Sequence, residues 1–145
     1  NMGSIGGSLA HADPAADYPA AIIALGAEMV AEGPKGKRTI KADDFFKGLL
    51  TTALAEDEIL TEVRVPAIAG KTGAAYMKFP NPASRYAMVG VFVAKTKSGV
   101  RVAVTGAASC VYRETAMEAA LAKLVTECRS VRGKVSCPLI AALHR

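Results

Sequence analysis

Apolar and polar residues alternate with a two-residue period over much of this 145-residue chain, and the breaks in that period mark its elements. Glu28 to Glu32 alternates and predicts a strand, Gly33-Pro34-Lys35-Gly36 a turn, and Arg38 to Lys41 the returning strand. Glu58 to Val65 reads as a strand stopped by Pro66, and Ala74 to Phe79 as another closed by Pro80 and Pro82. Ala87 to Lys95 and Val100 to Ala107 form a hairpin across Lys97-Ser98-Gly99. Helical spacing appears in two places. Asp17 caps a short helix with Tyr18-Pro19 in its first turn, Ala20 to Leu25 as its body and Gly26 at its end. Tyr112 to Cys128 places Ala116, Ala120 and Leu124 on one face, beside Met117 and Leu121, with the like-charged Glu114 and Glu118 on another. Asp43 or Asp44 starts a helical turn through Phe45, Phe46 and Leu49, and residues 1–16 read as a loop. Strands joined by hairpins, with helices between and after them, give an α+β class with antiparallel sheet. A composition shift from Pro66 to Gly73 divides the chain into units 1–66 and 67–128, and a tail, 129–145, is expected to be disordered.

Composition narrows the function classes. With 51% hydrophobic and 21% charged residues the chain is built to bury a core. The longest apolar stretch, Pro19 to Ala27, is far short of the ~20 residues of a membrane span, and no secretory signal pattern is visible. Cys110, Cys128 and Cys137 form no CxxC pair, which argues against a disulfide framework or a zinc ribbon and for a reducing, cytoplasmic setting. Residues 1–70 hold six Lys/Arg and ten Asp/Glu, a net of −4, whereas residues 71–145 hold twelve and three, a net of +9. The basic residues are scattered through strands without interleaved aromatics, so a solvated or subunit-facing surface fits better than nucleic acid.

Three places carry candidate chemistry. Gly3-Ser4-Ile5-Gly6-Gly7-Ser8 is a small-residue loop whose N–H groups and serine hydroxyls could converge on an anion, but it matches neither G-x-G-x-x-G nor a P-loop. Hardly any chain precedes it, which reads as a fragment or a frayed end. His11, Asp13 and Asp17 have a metal-like spacing, but Pro14 and the cap role of Asp17 explain them without a metal. Lys78, in a strand with Tyr76 and Phe79, reads as solvent-facing or as a cation near a flavin or phosphate. Cys110 reads as a small buried hydrophobe and His144 as a terminal residue, and no nucleophile–base constellation emerges.

Taken in order, the run Gly3 to Asp17, Asp43-Asp44-Phe45-Phe46, Thr51 to Leu54, Asp57 to Leu60, Val63 to Pro66, Ala75 to Phe79 and Ala83 to Val91 resembles the flavoprotein (medium) subunit of molybdenum hydroxylases, of the aerobic carbon monoxide dehydrogenase and xanthine dehydrogenase type, over about residues 1–125. The resemblance implies the second subdomain of a vanillyl-alcohol-oxidase-type (PCMH-type) FAD-binding domain, without its first subdomain, followed by an α+β C-terminal domain with antiparallel sheet. It implies FAD as cofactor, with molybdenum cofactor and iron–sulfur clusters on partner subunits only. By motif position Ser4, Gly6, Gly7 and Ser8 would meet the phosphate and ribityl chain, with Ile5 among the cofactor-binding residues. His11, Asp13 and Asp17 would follow, Asp17 toward the adenosine ribose; Leu60 would pack near the cofactor and Lys78 would approach the isoalloxazine ring. Position 85, acidic in many relatives, is Arg85 here.

The implied function is electron transfer. Electrons would come from an iron–sulfur small subunit, fed by a molybdenum large subunit, and leave to a quinone or nicotinamide. The setting would be cytoplasmic, with the inner face of the cytoplasmic membrane as a further option. The isolated chain is expected to be inactive, and to self-associate through Ile5, Leu9, Ala20 to Leu25 and Leu60. The alternatives are a cofactor-free module that docks on partner subunits, or an inactive fragment.

Overall fold

The computed structural model describes residues 3–67, 73–96 and 99–130. The chain opens with two helices, α1 (Ile5–His11) and α2 (Tyr18–Leu25), followed by β1 (Glu28–Gly33) and β2 (Gly36–Lys41). A single turn, α3 (Ala42–Phe45), leads through β3 (Phe46–Gly48) and β4 (Thr51–Thr52) to β5 (Ile59–Arg64). Then come β6 (Gly73–Pro80), β7 (Ala87–Thr96), β8 (Gly99–Thr105), β9 (Tyr112–Arg113) and α4 (Thr115–Ser130).

All pairing is antiparallel: β2-β1-β5 form one sheet, β3-β4 a two-stranded ribbon, and β6-β7-β8-β9 a second sheet. The architecture is α+β. The β1–β2 hairpin closes at Gly33 opposite Gly36, with Pro34-Lys35 at its tip. Gly33 is required there by close approach, since a Cβ would stand 2.9 Å from the Asp57 carbonyl.

α2 joins the two sheets. Pro19, Ala20, Ile22, Ile23 and Ala24 are all buried, so the helix is apolar nearly all round and needs cover on every side. It packs on β7 and β8 of the second sheet, and its core is continuous with Leu9 of α1, Met29 of β1 and Phe45 of α3. Gly26 ends α2 in the left-handed conformation (φ 67°), and its N–H and that of Ala27 close the last carbonyls.

Four expectations are corrected. Residues 1–16 are not all loop: the glycine run winds into α1, because Ser4 caps it and Leu9 anchors it in the core. The turn begun at Asp43 stops at Phe45; Phe46 enters β3, and Leu49 and Leu50 lie exposed beyond it, Leu50 at φ 51°. Tyr112 and Arg113 form β9 rather than the start of the last helix, whose first turn is capped by the Glu114 carboxylate on the Ala116 N–H. Finally, the surface expected to be exposed is mostly core: Leu9, Ala20 and Ile22 to Ala24 are covered and Ala21, Leu25 and Leu60 are half-buried, leaving Ile5 exposed.

The open apolar surface lies elsewhere. Cross-strand partners share a face, so Met77–Val91–Val104, Phe79–Val89 and Ala75–Val93–Val102 line one side of the second sheet. The β8 end of this face is buried and α4 packs against β8, whereas toward β6 Met77 is 77% and Phe79 64% exposed. The outer face of α4, with Met117 and Leu124, is also exposed. Residues 131–145, including Cys137 and His144, lie outside the described residues, as does most of the expected tail.

Candidate functional site

The glycine run forms the start of α1 rather than an anion-cradling loop. Ser4, in extended conformation, accepts the Gly7 N–H on its Oγ at 3.0 Å, while its own hydroxyl proton remains available to another acceptor. A Cβ at Gly7 would stand 3.0 Å from that Oγ, and one at Gly6 4.0 Å from the Leu60 carbonyl, so α1 lies close along β5. His11 ends α1 on the exposed side, and Asp13 turns its carboxylate onto the Ala15 N–H at 2.8 Å, tightening the loop that follows.

That loop is held by the second sheet. The Gly106 N–H donates to Pro14 O at 2.7 Å and the Ala87 N–H to Ala15 O at 3.3 Å. The buried Thr105 hydroxyl sits between Pro14 O and Ala16 O, donating to one or the other. Gly106, at φ 83°, has room for no side chain because a Cβ would meet the Ala87 and Met88 carbonyls.

Asp17 stands at the end of this loop, and it does not cap α2. Its backbone is helical (φ −79°, ψ −40°), and its side chain makes no capping bond. The carboxylate reaches across to β6 instead: Tyr76 Oη donates to Oδ1 at 2.5 Å and Lys78 Nζ to Oδ2 at 2.8 Å. Lys78 is therefore not a freely solvated strand lysine; it is ion-paired and only 26% exposed. Burial, and then the adjoining Asp17 carboxylate, push the Tyr76 phenol well above its ordinary range, so it remains a proton donor. Asp17 also lines an open cleft of about 360 Å3, with Ser8, Tyr18, Ser84, Arg85 and Tyr86 among its walls. Arg85 holds a left-handed backbone (φ 65°) at the tip of the β6–β7 connection.

A second polar network ties the second sheet to α2, α3 and α4 near the C-terminal end of α2. Arg101 of β8 donates to Ile23 O at 2.7 Å and to Asp43 at 2.5 Å, and Arg113 of β9 reaches Asp43 at 3.4 Å. Arg113 also forks onto Glu118 of α4, which accepts the Val102 N–H at 2.9 Å. Burial alone would raise the Glu118 pKa, but Arg113, the Val102 N–H and Arg101 together bring it below its ordinary value. Glu118 is thus drawn inward and makes no like-charge face with Glu114.

Of the expected site residues, the structure joins Asp17 to Lys78, Ser4 to Gly7, and Gly6 to Leu60, and it places Ser8 and Asp17 on one cleft. Ile5 and His11 are exposed on α1 and make no side-chain hydrogen bond among the described residues, and Asp13 serves its own loop. Tyr76 and Gly90 went unassigned. The signal for them is a glycine interrupting the apolar β7, opposite a β6 that carries Tyr76 and Lys78 on one face. Among the described residues no three His, Cys, Asp or Glu converge as a metal would need, and no helix is long and apolar enough to cross a membrane.

Comparison with known proteins gives a consistent picture. Residues 1–68 match the FAD binding domain in molybdopterin dehydrogenase. The chain is 44% identical over 118 residues to the carbon monoxide dehydrogenase medium chain of Hydrogenophaga pseudoflava, covering 78% of this chain and 41% of that one. It is 38% identical, over an equal length, to the nicotine 6-hydroxylase medium subunit of Paenarthrobacter nicotinovorans. It thus spans about two fifths of the length of these relatives. Among solved structures, the carbon monoxide dehydrogenase of H. pseudoflava lacking the Mo-pyranopterin moiety of its cofactor superposes with a TM-score of 0.77 at 46% identity, covering 83% of this chain and 44% of that one. Quinoline 2-oxidoreductase from Pseudomonas putida 86 gives 0.69 at 30% identity, covering 78% and 41%.

Proposed function

The chain belongs to the FAD-binding medium-subunit family of the molybdenum hydroxylases, and from that premise we propose that it is the electron-transfer flavoprotein part of such an enzyme. The observation that carries this reading is the Asp17–Lys78 pair. Two residues 61 positions apart are brought to 2.8 Å where α2 meets the second sheet, at the edge of a cleft with serine hydroxyls and tyrosine rings. A carboxylate, an ammonium and hydroxyls form a donor and acceptor set that suits a phosphorylated, polyhydroxylated aromatic cofactor.

Ser4, Ile5, Gly6, Gly7, Ser8, His11, Asp13 and Asp17, with Leu60 and Lys78, are the residues assigned to FAD. An ammonium and a carboxylate in contact serve one part of an extended cofactor, so Asp17 and Lys78 cannot attend to opposite ends of it. We assign both to the flavin end, Asp17 accepting from a ribityl hydroxyl and Lys78 setting a cation near the ring, in place of the adenosine position expected for Asp17. Bound FAD supplies the redox chemistry; the chain orients it and sets its electrostatic surroundings. Electrons arrive from an iron–sulfur small subunit served by a molybdenum large subunit, and leave to a quinone or nicotinamide. The setting is the cytoplasm, and turnover requires the partner subunits.

Titration of the full chain with FAD, followed by quenching of flavin fluorescence, tests the reading. Saturable binding weakened by Lys78→Ala or Ser4→Ala is expected, whereas binding indifferent to both removes the site assignment. The open apolar face of β6 and β7 favours a second reading, docking on a partner subunit without cofactor. Stable complex formation with a partner subunit in the absence of flavin would select it.

A further inference from the structure

We propose that Tyr76 is a positioning residue for the cofactor site, its hydroxyl holding the Asp17 carboxylate away from the start of α2 and at the edge of the cleft. The inference rests on the reading of this chain as an FAD-binding subunit. Tyr76 does not itself line the cleft, and reaches it through Asp17.

An aspartate ahead of a helix ordinarily folds back to accept an N–H of the first turn. Two features release Asp17 from that role. The second helical residue is Pro19, which has no N–H to offer, and the Asp17 backbone is helical rather than extended. The released carboxylate is then held from β6 through one bond to each oxygen, Tyr76 to Oδ1 and Lys78 to Oδ2. Lysine ends a flexible stem and supplies charge without fixing direction. The phenol supplies direction, because its ring is held: it packs on Phe92 with centroids 6.1 Å apart and lies over Gly90. A Cβ at Gly90 would overlap the Tyr76 hydroxyl and press on Thr105 Cγ2 at 2.8 Å. The glycine is therefore the floor on which the ring lies, and Thr105 links that floor to the loop bearing Asp17. Pro19, Gly90 and Tyr76 each serve the placement of one carboxylate.

The test is a mutant cycle on FAD affinity, read by flavin fluorescence on the full chain. Tyr76→Phe keeps the ring and removes the hydroxyl, and weakens FAD binding about tenfold with thermal stability nearly unchanged. In an Asp17→Asn background the same change has no further effect, which a merely structural role would not produce. FAD affinity of Tyr76→Phe within twofold of the unmodified chain, or an undiminished loss in the Asp17→Asn background, overturns the proposal.

If the unmodified chain does not bind FAD, the functional reading of the isolated chain fails, and the placement of Asp17 is decided without flavin. A crystal structure of Tyr76→Phe then gives the position of the Asp17 carboxylate. The carboxylate leaves its place against β6 if the hydroxyl holds it there. A carboxylate still bonded to Lys78 in the same place overturns the positioning role.

Discussion

At the scale of single residues, the polar contacts with most consequence are those that hold a loop rather than decorate a surface. Glu58 accepts Arg38 on both oxygens, at 2.6 and 2.7 Å, and also the Ala55 N–H at 2.8 Å, while Arg38 donates to Ala53 O. One carboxylate thereby pins residues 53–58 to β2. Arg38, and then the Ala55 N–H, lower the Glu58 pKa from its ordinary 4.5 to about 2. A carboxylate whose folded pKa is depressed adds stability that is fully present above the unfolded value and lost as pH falls through the folded one. Glu58→Gln therefore lowers the melting temperature at pH 7, and the difference from the unmodified chain shrinks as pH falls from about 4.5 toward 2. Thermal melts of the two proteins across that range check this. A gap that persists at pH 2 would mean Glu58 acts through its shape and not its charge.

At the scale of elements, α2 is held at both ends by the second sheet, since β8 grips its C-terminal end through Arg101 and β6 holds the residue before its start, while its core runs on to Met29 of the first sheet. Arg101→Ala removes the bonds to Ile23 O and Asp43 and is expected to cost about 1–3 kcal/mol of unfolding free energy, measured by denaturant titration. Arg101→Lys recovers only part of this, because one ammonium cannot match the two-pronged contact. The legibility of the elements follows the same logic. β1, β2 and β5 to β8 could be read because each has clear alternation and a Gly or Pro punctuation. α1 could not, because Gly6 and Gly7 oppose helix formation and the helix exists through its Ser4 cap and the burial of Leu9. β9 has two residues and merges into the helical spacing after it, so only its tertiary pairing with β8 defines it. At the site, Lys78 and Asp17 were visible as separate residues, but their pairing is a product of topology. Tyr76 escaped because its partner lies 59 positions away, and no spacing rule reaches that far.

At the scale of the whole molecule, charge and apolar surface pull in different directions. The formal net charge of +5 favours separation of chains in solution. Against this stands β6, an edge strand of its sheet, whose side chains on the face away from α2 are Ala75, Met77 and Phe79. Its one lysine, Lys78, lies on the opposite face and is paired with Asp17, so it does not guard the edge. Edge strands without such protection offer unpaired backbone groups and apolar side chains together, which promotes association. The isolated chain is therefore expected to self-associate, through this face and not through the α2 surface suggested by the sequence. Light scattering at rising concentration should show a mass above the 15.0 kDa of one chain. Met77→Lys with Phe79→Lys should return it to that mass while FAD affinity stays as in the unmodified chain, since neither residue lines the cleft. Added salt separates the two forces. It screens the net charge and leaves apolar contact intact, so association should strengthen with ionic strength. Association that weakened with salt would show that opposite charges on the −4 and +9 segments bring the chains together instead.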